Sequence, residues 1–212
     1  MSISPRLNKH FALAAVATAA VAATSNAAVV YSGVINFVCA VDIDGAYINV
    51  QTNTLSNGPV AGVSGWDVNP YSSGGGMNFL NSTGGGLMRF PGLTSGPAGN
   101  LALGTSIGST GSFNSSTTGV VFGSNAGNWQ YSAQNIIGFR FVAAAGTTHY
   151  GWMRFAMGAA GSSGTSMTRT VVDYGYESTA ATSILAGAVA VPTPGAIALL
   201  GLAGLAARRR RA

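Results

Sequence analysis

Charge is what this sequence has least of. Of its 212 residues 7% are charged, lysine occurs once, at Lys9, and the acids are limited to Asp42, Asp44, Asp67, Asp173 and Glu177. The formal excess of +5 sits at the ends, in Arg6 and Lys9 and in Arg208, Arg209, Arg210 and Arg211. Between them remain Arg89, Arg140, Arg154 and Arg169, and four minus five leaves −1. A body with that balance offers no basic surface to a phosphate backbone, so nucleic acid is set aside as a partner. Cysteine is nearly absent as well. Cys39 stands alone, which excludes an intrachain disulfide. With no Lys, Arg or His beside it to depress its pKa, it reads as a small buried hydrophobe.

Histidine is almost as scarce, and His149 is the sole one outside the first stretch of the chain. No Gly-x-Ser-x-Gly elbow leads from a strand into a helix, so a Ser-His-Asp triad is not signalled, and His149 reads as a strand-end residue bonding to a turn. Asp173 and Glu177 are the best pair of carboxylates for glycoside hydrolysis. Four residues apart on one strand, they lie about 13 Å from each other, too far for that chemistry. No enzyme is expected.

What the chain does have is glycine, serine, threonine, asparagine and alanine, with 31 glycines in all. Gly and Asn supply the positive-φ positions of tight turns, while Thr, Val, Tyr, Phe and Trp suit strands. The body is therefore expected to be all-β. Val29 to Val41 reads as one or two strands, and Tyr47-Ile-Asn-Val-Gln51 as the next. Between them, Asp42-Ile-Asp44-Gly45 admits two readings, an oxygen-ligand loop for calcium and an Asp-Gly hairpin turn. The ligand count favours the turn, because Ala46 and Tyr47 stand where a fuller loop would carry donors.

From Asn53 to Ser132 the chain is rich in turns. Ser72-Ser-Gly-Gly-Gly76 and Ser82-Thr-Gly-Gly-Gly86 precede Met77-Asn-Phe-Leu80 and Leu87-Met-Arg-Phe90, which look like successive strand and turn units. Neither glycine run precedes a helix or brings a lysine, so phosphate binding is not indicated. Asn81-Ser-Thr83 and Asn114-Ser-Ser116 match the glycosylation sequon and read as plain loop residues. The clearest pattern comes later. Ile136 to Val142 alternates, with Ile137, Phe139 and Phe141 on one face. His149 to Phe155 alternates again, with Tyr150, Trp152 and Arg154 on one face and Gly151, Met153 and Phe155 on the other, so the two runs are expected to pair as a hairpin. Thr168 to Tyr176 follows as a third strand. Tyr150, Trp152, Tyr174 and Tyr176 raise the possibility of aromatic stacking on sugar rings, against burial in the core.

The ends carry a different message. Arg6 and Lys9 precede an apolar run from Phe11 to Ala23 and then Ser25-Asn26-Ala27, a pattern that resembles a secretory signal peptide cut between Ala27 and Ala28. At the far end Pro192-Thr193-Pro194-Gly195 opens an apolar segment reaching Ala207, closed by Arg208 to Arg211. As a helix that segment reaches about 20 Å, a marginal span for a hydrocarbon core of about 30 Å. The four arginines would stay cytoplasmic.

This order of elements resembles the PEP-CTERM sorting tail of bacterial exported proteins, with Thr193 in place of that family's usual Glu. The phrases Ile-Gly-Phe-Arg-Phe, His-Tyr-Gly-Trp-Met-Arg and Val-Asp-Tyr-Gly-Tyr-Glu-Ser, between Ile136 and Thr179, are similar to the final third of many PEP-CTERM bodies. The resemblance implies a jelly-roll-like antiparallel β-sandwich flanked by an N-terminal signal helix and a C-terminal hydrophobic helix. The expected divisions are a signal peptide over 1–27, the body over 28–180, a linker over 181–191 and the sorting tail over 192–212.

The resemblance also implies partners: signal peptidase and the secretion machinery, the membrane, and an exosortase-like membrane protease acting at Pro192, Thr193, Pro194 and Gly195. The body would pass to the cell envelope, cell surface or extracellular matrix in a structural or adhesive role, without a cofactor. The alternative is a carbohydrate-binding module of the exopolysaccharide, with Tyr150, Trp152, Tyr174 and Tyr176 on glycan and calcium at Asp42 and Asp44.

Overall fold

The computed structural model describes residues 28–59, 62–73, 76–123, 127–160 and 167–189. Among the described residues there is no α-helix, and every paired strand is antiparallel. The expected signal helix and tail helix lie outside them, as do Ala27 and the residues from Pro192 to Arg211.

The long alternating runs form the centre of the first sheet. Strand β10 (Gln134–Val142) and β11 (Thr148–Met157) pair from Gln134↔Ala156 to Val142↔Thr148. The turn between them closes with Ala143 N donating to Thr147 O at 2.9 Å, and Gly146 takes the positive φ of 77° that this reversal requires. Strand β12 (Arg169–Glu177) lies on the far side of β11, from Gly151↔Tyr176 to Met157↔Arg169. The register slips between Arg154 and Phe155, which face Asp173 and Val171, so Val172 is the extra residue of a bulge.

Two short strands, β1 (Val29–Tyr31) and β2 (Phe37–Cys39), pair end to end along the outer side of β12, and β7 (Gly86–Leu87) pairs with β10 at the opposite edge. The run from Val29 to Val41 is thus two strands.

The second sheet follows the order β4-β3-β5-β6-β9. Its strands are β3 (Ala46–Asn49), β4 (Thr54–Asn57), β5 (Val68–Ser73), β6 (Gly76–Asn81) and β9 (Thr118–Gly119). Pro70 is tolerated inside β5 because pairing with β3 is confined to Ile48↔Val68, while β6 runs along the other side. A separate pair joins β8 (Ser106–Ile107) to β13 (Ile184–Leu185).

Both sheets feed one core. Ile48, Val68, Met77 and Phe79 of the second sheet and Ile137, Phe139, Phe141, Met153, Phe155 and Val171 of the first are buried together. Phe79 meets Phe155 edge to face with centroids 5.5 Å apart. The opposite face of the first sheet is covered too, by a smaller cluster of Met88, Leu101, Ile107, Ile136, Trp152 and Ile184. Gly138 makes that covering possible: a Cβ there would stand 3.0 Å from both Ile107 and Leu101 side chains. The alternating runs are therefore apolar on both faces, because the loops after β7 and the β8–β13 pair fold back over the sheet.

Candidate functional site

The four aromatic residues offered as a sugar platform are not on one exposed face. Tyr150 and Trp152 belong to the outer cluster, at 6% and 0% exposure, whereas Tyr174 is buried in the core between the sheets and Tyr176 packs beside it. The register explains the split. Gly175 faces Trp152 while Tyr176 faces Gly151, so the two tyrosines of β12 emerge opposite to Tyr150 and Trp152. Their polar ends are already satisfied: Trp152 Nε1 donates to Ala188 O at 2.8 Å, and Tyr174 OH donates to Asn53 Oδ1 at 2.6 Å. Trp152 also stacks on Tyr31 at 6.2 Å. The platform is core.

The Asp42–Gly45 segment is a turn, but not a hairpin. It carries the chain from β2 in one sheet to β3 in the other, and those strands do not pair with each other. Asp42 Oδ1 accepts from Gly45 N at 2.7 Å, and Asp44 O accepts from Asn69 Nδ2 at 2.7 Å. Gly45 has φ of 64°, and a Cβ on it would fall 2.2 Å from Pro70 O, so glycine is required for the turn to lie against β5. Among the described residues no group of three or more His, Cys, Asp or Glu gathers around Asp42 and Asp44 or anywhere else.

His149 is 8% exposed, with Nδ1 2.9 Å from Glu177 O and Nε2 3.0 Å from Thr147 Oγ1. Both ring nitrogens are engaged, as expected of a residue tying a strand end to a turn. Glu177 accepts from Thr179 N at 2.9 Å. Asp173 is fully buried and takes a bidentate contact from Arg154, through Nε at 2.7 Å and through Nη2, with Tyr31 OH donating to the same carboxylate at 2.8 Å. Asp173 raises the pKa of Tyr31 by that hydrogen bond, and the same carboxylate raises the pKa of Arg154. The pair considered for hydrolysis thus consists of two carboxylates each committed to a structural bond.

The sequons are also structural. Asn114 Oδ1 accepts from Leu87 N at 2.6 Å, and the Nδ2 groups of Asn81 and Asn114 both donate to Ser116 O. Both residues are buried. Cys39 is 1% exposed, and burial pushes its thiol up to about 12, as befits a buried hydrophobe.

A cavity among the described residues opens on the surface and involves none of these side chains. It is a cleft of about 320 Å³ over the segment after β7, between the Phe90–Leu93 turn and the Ser106–Ser112 loop. Leu93 N donates to Phe90 O at 3.0 Å, Gly111 N to Gly108 O at 2.9 Å, and Arg89 N to Ser112 O at 2.8 Å, so both walls are pinned by backbone bonds. Gly99 lets a third segment press against the floor: a Cβ there would come within 2.6 Å of Phe90 Cα.

The polar lining is Arg89, Thr94, Ser106, Thr110 and Ser112, with Met88, Phe90 and Pro91 as apolar wall. Arg89 Nη1 donates to Ser112 Oγ at 3.1 Å, while its Nε is buried without an acceptor. No acid lines the cleft, and among the described residues the one ion pair is Arg154 with Asp173. In the sequence Arg89 stands out only as one of the body's four arginines, within the strand-like piece Leu87-Met-Arg-Phe90. The available signal was an arginine isolated in a body with so few charges.

Comparison of the chain with protein families, with curated proteins and with solved structures finds no match.

Proposed function

We propose that the chain is an exported, non-catalytic protein of the cell surface or extracellular matrix, sorted through its C-terminal tail. Its body would be a jelly-roll-like β-sandwich in a structural or adhesive role. The observation that carries the reading is the arrangement of its ends. A basic and apolar leader ends in Ser25-Asn26-Ala27, and Pro192-Thr193-Pro194-Gly195 opens an apolar run closed by four arginines.

The body between them is compatible with both cuts. Its first strand starts at Val29, with Ala28 O accepting from Ser178 N, and its last described tie is Ala188 O accepting from Trp152 Nε1. Residues 27–190 also form a compact unit of their own. The sandwich reading is supported by one core shared between two sheets and by a chain that passes from sheet to sheet between β2 and β3, between β6 and β7, and again between β9 and β10.

Intact-mass measurement on membrane, envelope and medium fractions of a host with the sorting machinery tests the reading. The expected species starts at Ala28, ends near Pro192 and lies outside the inner membrane. Full-length tail held in the inner membrane would reduce the tail to an anchor and remove the matrix assignment.

A further inference from the structure

We propose that the cleft over Arg89 binds the carboxylate of an acidic sugar, a hexuronate unit of an oligosaccharide. The proposal stands on the cleft alone and not on export of the chain. A guanidinium presents five N–H donors; at Arg89 one goes to Ser112 Oγ and the Nε–H is buried out of a ligand's reach, which leaves three on the Nη groups. No carboxylate lines the cleft to neutralise it. Arg154, by contrast, is spent on Asp173, and Arg169 is fully buried against Tyr71 O and Ser72 Oγ. Arg140 lies 5.2 Å from the Phe113 ring centroid and does not line the cavity. Arg89 is thus the cation of the body that combines an open cavity with unspent donors, and a carboxylate is the planar acceptor that suits its fork.

The remaining lining selects for a sugar over a bare anion or an acidic peptide. Thr94, Ser106 and Thr110 are exposed hydroxyls around the same cavity, and Ser112 holds the arginine. Each hydroxyl both donates and accepts, which matches ring hydroxyls that do the same. Phe90 and Pro91 provide an apolar surface for the C–H face of a pyranose. About 320 Å³ is at the small end for ligand pockets, and it fits one or two sugar units.

Calorimetric titration of the full-length protein with a galacturonate trimer tests this, alongside a neutral glucose trimer and a glutamate tripeptide. The expected result is saturable binding of the galacturonate trimer that weakens with added salt, with no saturable binding of the neutral trimer. Arg89→Met should lower the affinity at least tenfold. Ser106→Phe should do the same by filling the cleft from an exposed position, and it keeps the test decisive if Arg89→Met impairs folding. No saturable binding of the uronate, equal binding of the neutral trimer, tighter binding of the peptide, or unchanged affinity in Ser106→Phe would each overturn the proposal.

Discussion

At Asp67 a carboxylate sits 3% exposed, with Oδ2 accepting from Val50 N at 2.9 Å. Burial raises its pKa from 3.8 to about 6, offset in part by that backbone bond; burial likewise raises Tyr174 and Tyr176 nearby, with the Asp67 carboxylate adding to both. The folded state therefore holds a proton over a range where the unfolded chain has lost it. Stability from this group is present below the unfolded value and falls as pH rises from about 4 to about 6, by roughly 2–3 kcal/mol in total. Asp67→Asn should remove that slope. Thermal unfolding from pH 4.5 to 7.5 should show the wild type losing ground relative to the variant as pH rises, and parallel curves would rule the effect out.

Asp173 is the opposite case, a buried carboxylate fully served by Arg154 and Tyr31. Removing the cation strands the buried carboxylate, so Arg154→Ala should cost about 3–5 kcal/mol in urea unfolding, and Tyr31→Phe about 1 kcal/mol. The sequence marked Asp173 as a candidate for chemistry because acids are rare here. Its actual partner, Arg154, lies across the strand pair, and only the register places the two side by side.

At the level of elements, the hairpin β10–β11 was legible because each arm alternates with period two, over Ile136–Val142 and His149–Phe155, and β12 because Thr168–Tyr176 is rich in strand-forming residues. The face assignment of His149 to Phe155 holds, with Met153 and Phe155 in the core and Trp152 opposite. What alternation within one strand does not specify is how neighbouring strands are phased, and the supposed aromatic platform failed on that point.

The middle of the chain was opaque for a different reason. Strands β7, β8 and β9 are two residues long and form only through distant partners, as where Leu87 meets Phe139 or Ile107 meets Ile184. Nothing local announces them. Gly151 shows how tightly the legible part is built, since a Cβ on it would stand 2.4 Å from Phe139 Cζ and 2.8 Å from Gly175 O. Gly151→Ala should destabilise by about 1–3 kcal/mol in urea unfolding. A neutral result would mean that Phe139 and β12 give way at no cost.

For the molecule as a whole, the uneven spread of charge was readable: six basic residues gather at the two ends, and the body between them is left with a net −1, its Asp67, Asp173, Glu177 and Arg169 buried and its Asp42 and Asp44 exposed. A protein spanning 28–191 should unfold within about 2 °C of the full-length chain, because residues 27–190 form a compact unit of their own. A larger loss in a calorimetric scan would place stabilising contacts in the removed ends. The cleft over Arg89 was not readable, because its walls come from segments that meet only after the loops fold over the sheet.

One feature of the sheet also sets a timetable. Tyr31 and Asp173, joined by a hydrogen bond, are 142 residues apart, and β1 and β2 together form the margin alongside β12. A chain threaded through a channel from its N-terminus delivers Val29–Tyr31 almost first and Arg169–Glu177 almost last. Until the last of these emerges, the first has nothing to pair with, and closure of so long a loop is slow. A body delivered in that order would stay unlocked until β12 is available to fasten β1 and β2.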